Sequence, residues 1–210
     1  VSFSVREGEV HALLGENGAG KSTLMKILSG AYMKDAGKVF LDGQEIQVKN
    51  TKESERLGIS IIYQELNLIP ELSVAENIFL DRQPKRNGFI DWKQMNQDAE
   101  KILEGIDMKI PPKMIVSTLS VAQRQMVEIA KAVSLGARLV IMDEPTSTLT
   151  EGETRKLFQV ISSLKQRGIT IIYISHRMDE IFEICDSYTI LRDGTFISSG
   201  DIADVSDRKS

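Results

Sequence analysis

Residues 15–23 read Gly-Glu-Asn-Gly-Ala-Gly-Lys-Ser-Thr. Three glycines, a lysine and a hydroxyl at this spacing suit the binding of a nucleotide's phosphates. Phosphate oxygens need several backbone N–H donors converging on one point, and Gly15, Gly18 and Gly20 let the chain curl that tightly. Glu16, Asn17 and Ala19 complete the loop between them. Lys21 then supplies a mobile point charge for the β- and γ-phosphates, and Ser22 a hydroxyl oxygen for Mg²⁺, with Thr23 carrying the stretch onward. An apolar run "VHALL" comes before the loop and the helical "KSTLMKILSG" after it. That context adds the free amides and positive dipole end of a helix N-terminus. A glycine-rich turn without a ligand is the plain alternative, and the strand–loop–helix context weighs against it.

A second site follows far down the chain, where "LVIMDEP" sets Asp143 and Glu144 after four apolar residues. Side chains of adjacent strand residues face opposite ways, so the two carboxylates divide the work. Asp143 goes to the Mg²⁺ shell. Glu144, at the strand end before Pro145, goes to an attacking water as general base. A solvated acidic pair at a strand end is the alternative, and the phosphate loop elsewhere in the chain favours the functional reading. No Asn-Lys-x-Asp that would read guanine follows, and there is no signature of a kinase lid or acceptor site.

The elements that must position these groups alternate between strand and helix. Apolar runs at 10–14, 59–63, 139–142 and 169–174 are strand-like. "ETRKLFQVISSLKQRG" places Leu157, Val160, Ile161 and Leu164 on one helical stripe. Asp42-Gly43 and Asp193-Gly194 each sit between short strand-like runs and predict hairpins. Residues 71–135 carry helical periodicity throughout. The expected fold is α/β: a P-loop NTPase core with a mainly parallel sheet, an antiparallel β ribbon and an inserted helical subdomain. The core covers 1–70 and 136–210, the subdomain 71–135, within a single domain over 1–210.

Composition narrows the setting. Among 210 residues the net charge is −4, so no basic surface for nucleic acid is advertised. No apolar run approaches the length of a bilayer span, and no signal segment opens the chain, which therefore reads as cytosolic. Cys185, the only cysteine, reads as a packed apolar group. His11, inside an apolar strand, reads as a core histidine, and Trp92 as a packed aromatic at a helix start. Val1 opens in mid-pattern without a methionine, as expected of an N-terminally truncated fragment of a longer protein.

Two more motifs complete an ordered set: Gln64, closing "ISIIYQ", and "LSVAQRQMVEIAKA" at 119–132. With the phosphate loop, the acidic strand and His176 in "YISHRMDEI", this order resembles the nucleotide-binding domains of ABC transporters over almost the whole chain. More narrowly it is similar to the first half of the tandem ATPases that drive bacterial sugar importers of the ribose, galactose and xylose type. The resemblance implies ATP and Mg²⁺ as ligands, and ATP hydrolysis coupled to carbohydrate import. Two such domains would sandwich two nucleotides, each between one P-loop and the other domain's signature helix. Gln64 would sense the metal and the lytic water, and His176 would stabilise the γ-phosphate. Ser120 would approach the γ-phosphate held by the partner domain, although Ser120-x-x-Gln123 is also an ordinary capping box. Implied partners are membrane permease subunits, a second ATPase half of the same polypeptide and, indirectly, a periplasmic or extracellular sugar-binding protein. The expected location is peripheral, on the cytoplasmic face of the membrane, with no nucleic-acid partner.

Departures from the family pattern matter too. Val121 and Ala122 stand where the family usually has glycines, and Thr150 where it often has aspartate. Together they imply one strong and one weak composite site. Phe3 lies too close to the loop to be the family's adenine-stacking aromatic, which is expected upstream of Val1. Leu66, Leu68, Ile69 and Leu72 are read equally as permease contacts or as plain core. Two other classes stay open: a soluble, non-transport ABC ATPase, and a catalytically weak nucleotide-binding half-site.

Overall fold

A computed structural model describes residues 1–206. Its elements in chain order begin with β1 (Val10–Leu14), α1 (Lys21–Leu28), β2 (Val39–Leu41), β3 (Gln44–Ile46), α2 (Thr51–Arg56) and β4 (Ile59–Ile62). The middle third holds α3 (Val74–Ile78), β5 (Lys85–Arg86), β6 (Phe89–Ile90), α4 (Trp92–Gly105), a 3₁₀ turn (Val116–Thr118) and α5 (Val121–Ser134). The last third holds β7 (Leu139–Asp143), α6 (Glu151–Gln166), β8 (Thr170–Ile174), α7 (Met178–Ile184), β9 (Ser187–Arg192), β10 (Thr195–Asp201) and α8 (Ile202–Ser206).

Six strands form one sheet in the order β10-β9-β1-β8-β7-β4. All neighbours are parallel except β9 and β10, which form a hairpin at the sheet edge. The strands are near-continuous apolar runs because both faces are covered, and the period of two sorts them. Val10, Ala12, Val140, Met142, Ile171 and Tyr173 join one cluster; Leu13, Ile141, Ile172 and Ile174 join another on the opposite face. The first cluster runs on without a break into α4 and α5, taking in Met95, Leu103, Val127 and Ile129. The second is covered by α1 through Met25. The structure thus has the expected α/β architecture.

Local sequence chemistry accounts for most boundaries. Ser120 caps α5 and Thr150 caps α6, each in a reciprocal capping box, with Gln123 and Glu153 respectively. The predicted stripe Leu157, Val160, Ile161 and Leu164 is buried. The two Asp-Gly hairpins form as expected, with Asp42 and Asp193 at φ 51° and 50°. The stretch read as helical throughout also holds the β5–β6 hairpin, turned at Asn87-Gly88. Helix α2, capped by Asn50, has no apolar stripe that would have announced it. Among the described residues no helix is long and apolar enough to cross a membrane.

Candidate active site

The parallel sheet carries the chemistry-bearing residues to one edge. Residue pairing sets Asp143 of β7 level with Ile174 of β8, and Ala12 of β1 level with Tyr173. The loop after β1, Asp143 and Glu144 at the end of β7, and His176 after β8 therefore leave the same carboxyl edge. Gln64 leaves it too, exposed and two residues beyond β4 rather than closing that strand. Ligands of open α/β sheets bind at this edge.

Each glycine of the 15–20 loop has its own reason. Gly15 has φ 155°, and a Cβ there would lie 2.5 Å from the Leu191 carbonyl oxygen. Gly18 (φ 86°) faces open space, and Gly20 (φ 99°) is the left-handed N-cap of α1. Behind the loop sits the β9–β10 turn: the Gly194 N–H donates to the Ala19 carbonyl at 3.2 Å. Ala19 is buried, whereas Glu16, Asn17, Ser22 and Thr23 are exposed, on the loop and the first turn of α1. Lys21 curls back so that Nζ donates to the carbonyls of Gly15 (2.6 Å) and Glu16 (3.1 Å).

Asp143 and Glu144 have different surroundings. Burial raises the Asp143 pKa, the neighbouring Glu144 charge raises it further, and Lys21 opposes both. A half-buried carboxylate near enough to Lys21 to feel its charge can serve as a hard oxygen donor. Among the described residues no group of three or more His, Cys, Asp or Glu forms a metal cage. Glu144 has left the strand with φ 46°, an uncommon left-handed conformation for a residue with a Cβ. Its N–H is held by the Ile174 carbonyl at 2.9 Å. Its Oε1 accepts from His176 Nδ1 at 3.1 Å, so the structure joins two residues that lie 32 positions apart.

Not every expected residue converges. The Ser120 side chain accepts from the Gln123 N–H at 3.2 Å and caps α5 in the helical layer. His11 is a core residue: its ring bridges Ser187 (2.7 Å) and Thr189 (2.9 Å), stacks on Phe3 and is kept neutral by burial. Phe3 is therefore a packing partner. Cys185 is buried, its thiol pKa pushed up chiefly by that burial. Trp92 starts α4 as expected but is 53% exposed, not packed. Leu68 packs on the core, whereas Ile69 is exposed.

The sequence reading missed Glu180. It is 2% exposed and gathers Thr146, Tyr173, Ser175 and Arg177 around one carboxylate. Its position four residues after His176 on a short helix was the only available signal.

A mainly parallel sheet with a glycine-rich loop after its first strand, and an acidic strand two places away, defines the P-loop NTPase fold. The chain belongs to the ABC transporter family, whose sequence profile matches residues 1–147. It is 54% identical over 206 residues to the ribose import ATP-binding protein RbsA of Caldanaerobacter subterraneus subsp. tengcongensis, covering 98% of this chain and 42% of that protein. A putative ribose/galactose/methyl galactoside import ATP-binding protein of Agrobacterium fabrum is 56% identical over 205 residues, covering 98% and 41%. The chain thus spans well under half the length of these relatives. An ATP-binding cassette of an ABC transporter, solved in its ADP conformation, superposes with a TM-score of 0.85 at 29% identity, covering 100% of this chain and 88% of that one.

Proposed function

We propose that this chain binds ATP with Mg²⁺ and hydrolyses it to power the import of a sugar. The observation that carries the chemistry is the convergence of the 15–23 loop, Asp143 and the Glu144–His176 pair on one sheet edge. The names of the relatives supply the sugar-import context. The backbone N–H groups of 15–23 would cradle the phosphates, and Lys21 would exchange the Gly15 and Glu16 carbonyls for phosphate oxygens. Ser22, Asp143 and Gln64 would hold the Mg²⁺, which when bound neutralises charge developing on those oxygens. Glu144 takes the proton of the attacking water, and the His176 imidazole orients the carboxylate and faces the γ-phosphate.

The remaining residues need a partner. Ser120 would complete a site on a second ATPase half, and the two halves would work on membrane permease subunits fed by a sugar-binding protein. On this reading the chain would sit peripherally on the cytoplasmic face of a membrane. The core of 1–70 and 136–210 would carry the nucleotide, and 71–135 the contacts to partners. A catalytically weak half-site is a second reading, favoured by Thr150, whose side chain is committed to capping α6.

The test is Mg²⁺-dependent ATP turnover by this chain alone, then with the second half added, beside E144Q. Activity that appears on addition and falls about 10²- to 10⁴-fold in E144Q supports the composite site. Turnover indifferent to both would sink it.

A further inference from the structure

We infer that Glu180 is a positioning residue that holds Glu144 and His176 in register with one another, a role that rests on the function proposed above. Its carboxylate is buried and receives four groups. Thr146 Oγ1 donates at 2.7 and 2.9 Å to its two oxygens. The Tyr173 hydroxyl donates at 2.8 Å and Ser175 Oγ at 3.0 Å. The Arg177 guanidinium closes an ion pair at 2.9 Å.

The connectivity of these donors is the argument. Thr146 lies two residues after Glu144, on the segment leaving β7. Ser175 and Arg177 flank His176 on the segment leaving β8, and the Arg177 N–H also donates to Ser175 Oγ at 3.1 Å. One buried carboxylate thus grips both arms of the Glu144–His176 contact. Tyr173 adds an anchor in the sheet, packed edge-on against Phe158 of α6.

A buried carboxylate is costly unless fully paired, and apolar residues of similar volume often stabilise a core at least as well. Hydrogen bonds differ from apolar packing in being directional. Here the direction is needed, because Glu144 sits at φ 46° and would relax without restraint on the residues that follow it. Further restraint comes from backbone bonds, Glu144 N–H to the Ile174 carbonyl at 2.9 Å and Ser147 N–H to the Glu144 carbonyl at 3.1 Å. The first ties Glu144 to the end of β8, two residues before His176; Glu180 adds ties through Ser175 and Arg177, on either side of His176, and through Thr146 after Glu144.

The experiment compares T146V, T146S and E180Q in the full-length polypeptide, with E144Q as control. T146V keeps the shape of threonine and removes the hydroxyl; T146S keeps the hydroxyl. T146V and E180Q are expected to lower kcat about 10- to 100-fold, as a small displacement of catalytic groups does. KM for ATP should stay within about twofold, because the 15–23 loop is untouched, and T146S should restore kcat to within about twofold of wild type. If T146V does not fold, Y173F removes another hydroxyl from the same carboxylate and carries the same expectation. Equal losses in T146V and T146S, or a KM that rises in step with the fall in kcat, would show plain packing and overturn the inference. Loss of turnover in E144Q with T146V at wild-type rate removes the role of Glu180 alone. Wild-type turnover in E144Q removes the reading of the site beneath it.

Discussion

Glu128 shows what one buried charge does to this chain. It lies on α5 with its Oε1 accepting the Asn67 N–H at 2.8 Å, which ties the helix to the segment just after Gln64. Burial raises its pKa, against the opposing pull of Lys131 and of the Asn67 N–H. A carboxyl with a raised folded pKa adds stability below its unfolded value, and that stability is lost as pH rises through the folded value. E128Q keeps the acceptor for Asn67 and removes the charge. It should therefore match wild type near pH 4 and become the more stable protein as pH rises above the ordinary glutamate range. Thermal midpoints taken across that interval check this, and a difference that does not grow with pH would refute it. At this scale the residues of 15–23, Asp143 and Glu144 were legible because their types and spacing are tied to phosphate and metal chemistry. Glu180 was not, since nothing local distinguishes a glutamate that four distant donors will surround from one that stays in water.

At the level of the element, the strand–loop–helix unit around Gly15 makes two unlike demands on glycine. A Cβ at Gly18 meets nothing within 4 Å, so G18A should cost only the strain of a left-handed conformation, about 1–2 kcal/mol. A Cβ at Gly15 would press on the Leu191 carbonyl and on Ala19, forcing the loop away from β9. G15A should cost a further 1–3 kcal/mol or so of overpacking, and it should weaken nucleotide binding as well. Urea midpoints of the two variants decide this; equal losses would mean that the loop does not lean on β9. Helix caps and the two Asp-Gly turns could be read because they are short, local signals. The Asn87-Gly88 hairpin escaped notice because its strands are two residues each, too short to show alternation. Helix α2 escaped because its positions are mostly polar and its helicity rests on the Asn50 cap.

Across the whole molecule, one apolar cluster joins the helices of 71–135 to a face of the sheet. The helical layer should therefore melt with the sheet. L103A, at a site 1% exposed on α4, should lower stability by about 2–5 kcal/mol while leaving one transition. Fluorescence of Trp92, also on α4, and far-ultraviolet circular dichroism should give coincident curves. A fluorescence change that precedes the loss of sheet signal would show that the helical layer is separately stable. The alternation of strands and helices was enough to anticipate a parallel sheet. Its strand order was not legible, because crossover connections leave no trace in periodicity.

That order has a consequence for how the protein is made. β1 is the central strand between β8 and β9, and it is made well before either of them. Its partner Ile171 lies 161 residues after Val10 (171 − 10), and Ser187 lies 176 after His11 (187 − 11). At synthesis rates of about 5–20 residues per second, the apolar run "VHALL" waits on the order of 10–30 s before either neighbour exists. Closing such distant pairs is also slow in itself. The strand that presents the phosphate loop is thus the segment most exposed to wrong pairing during synthesis, and early chaperone engagement should be concentrated there.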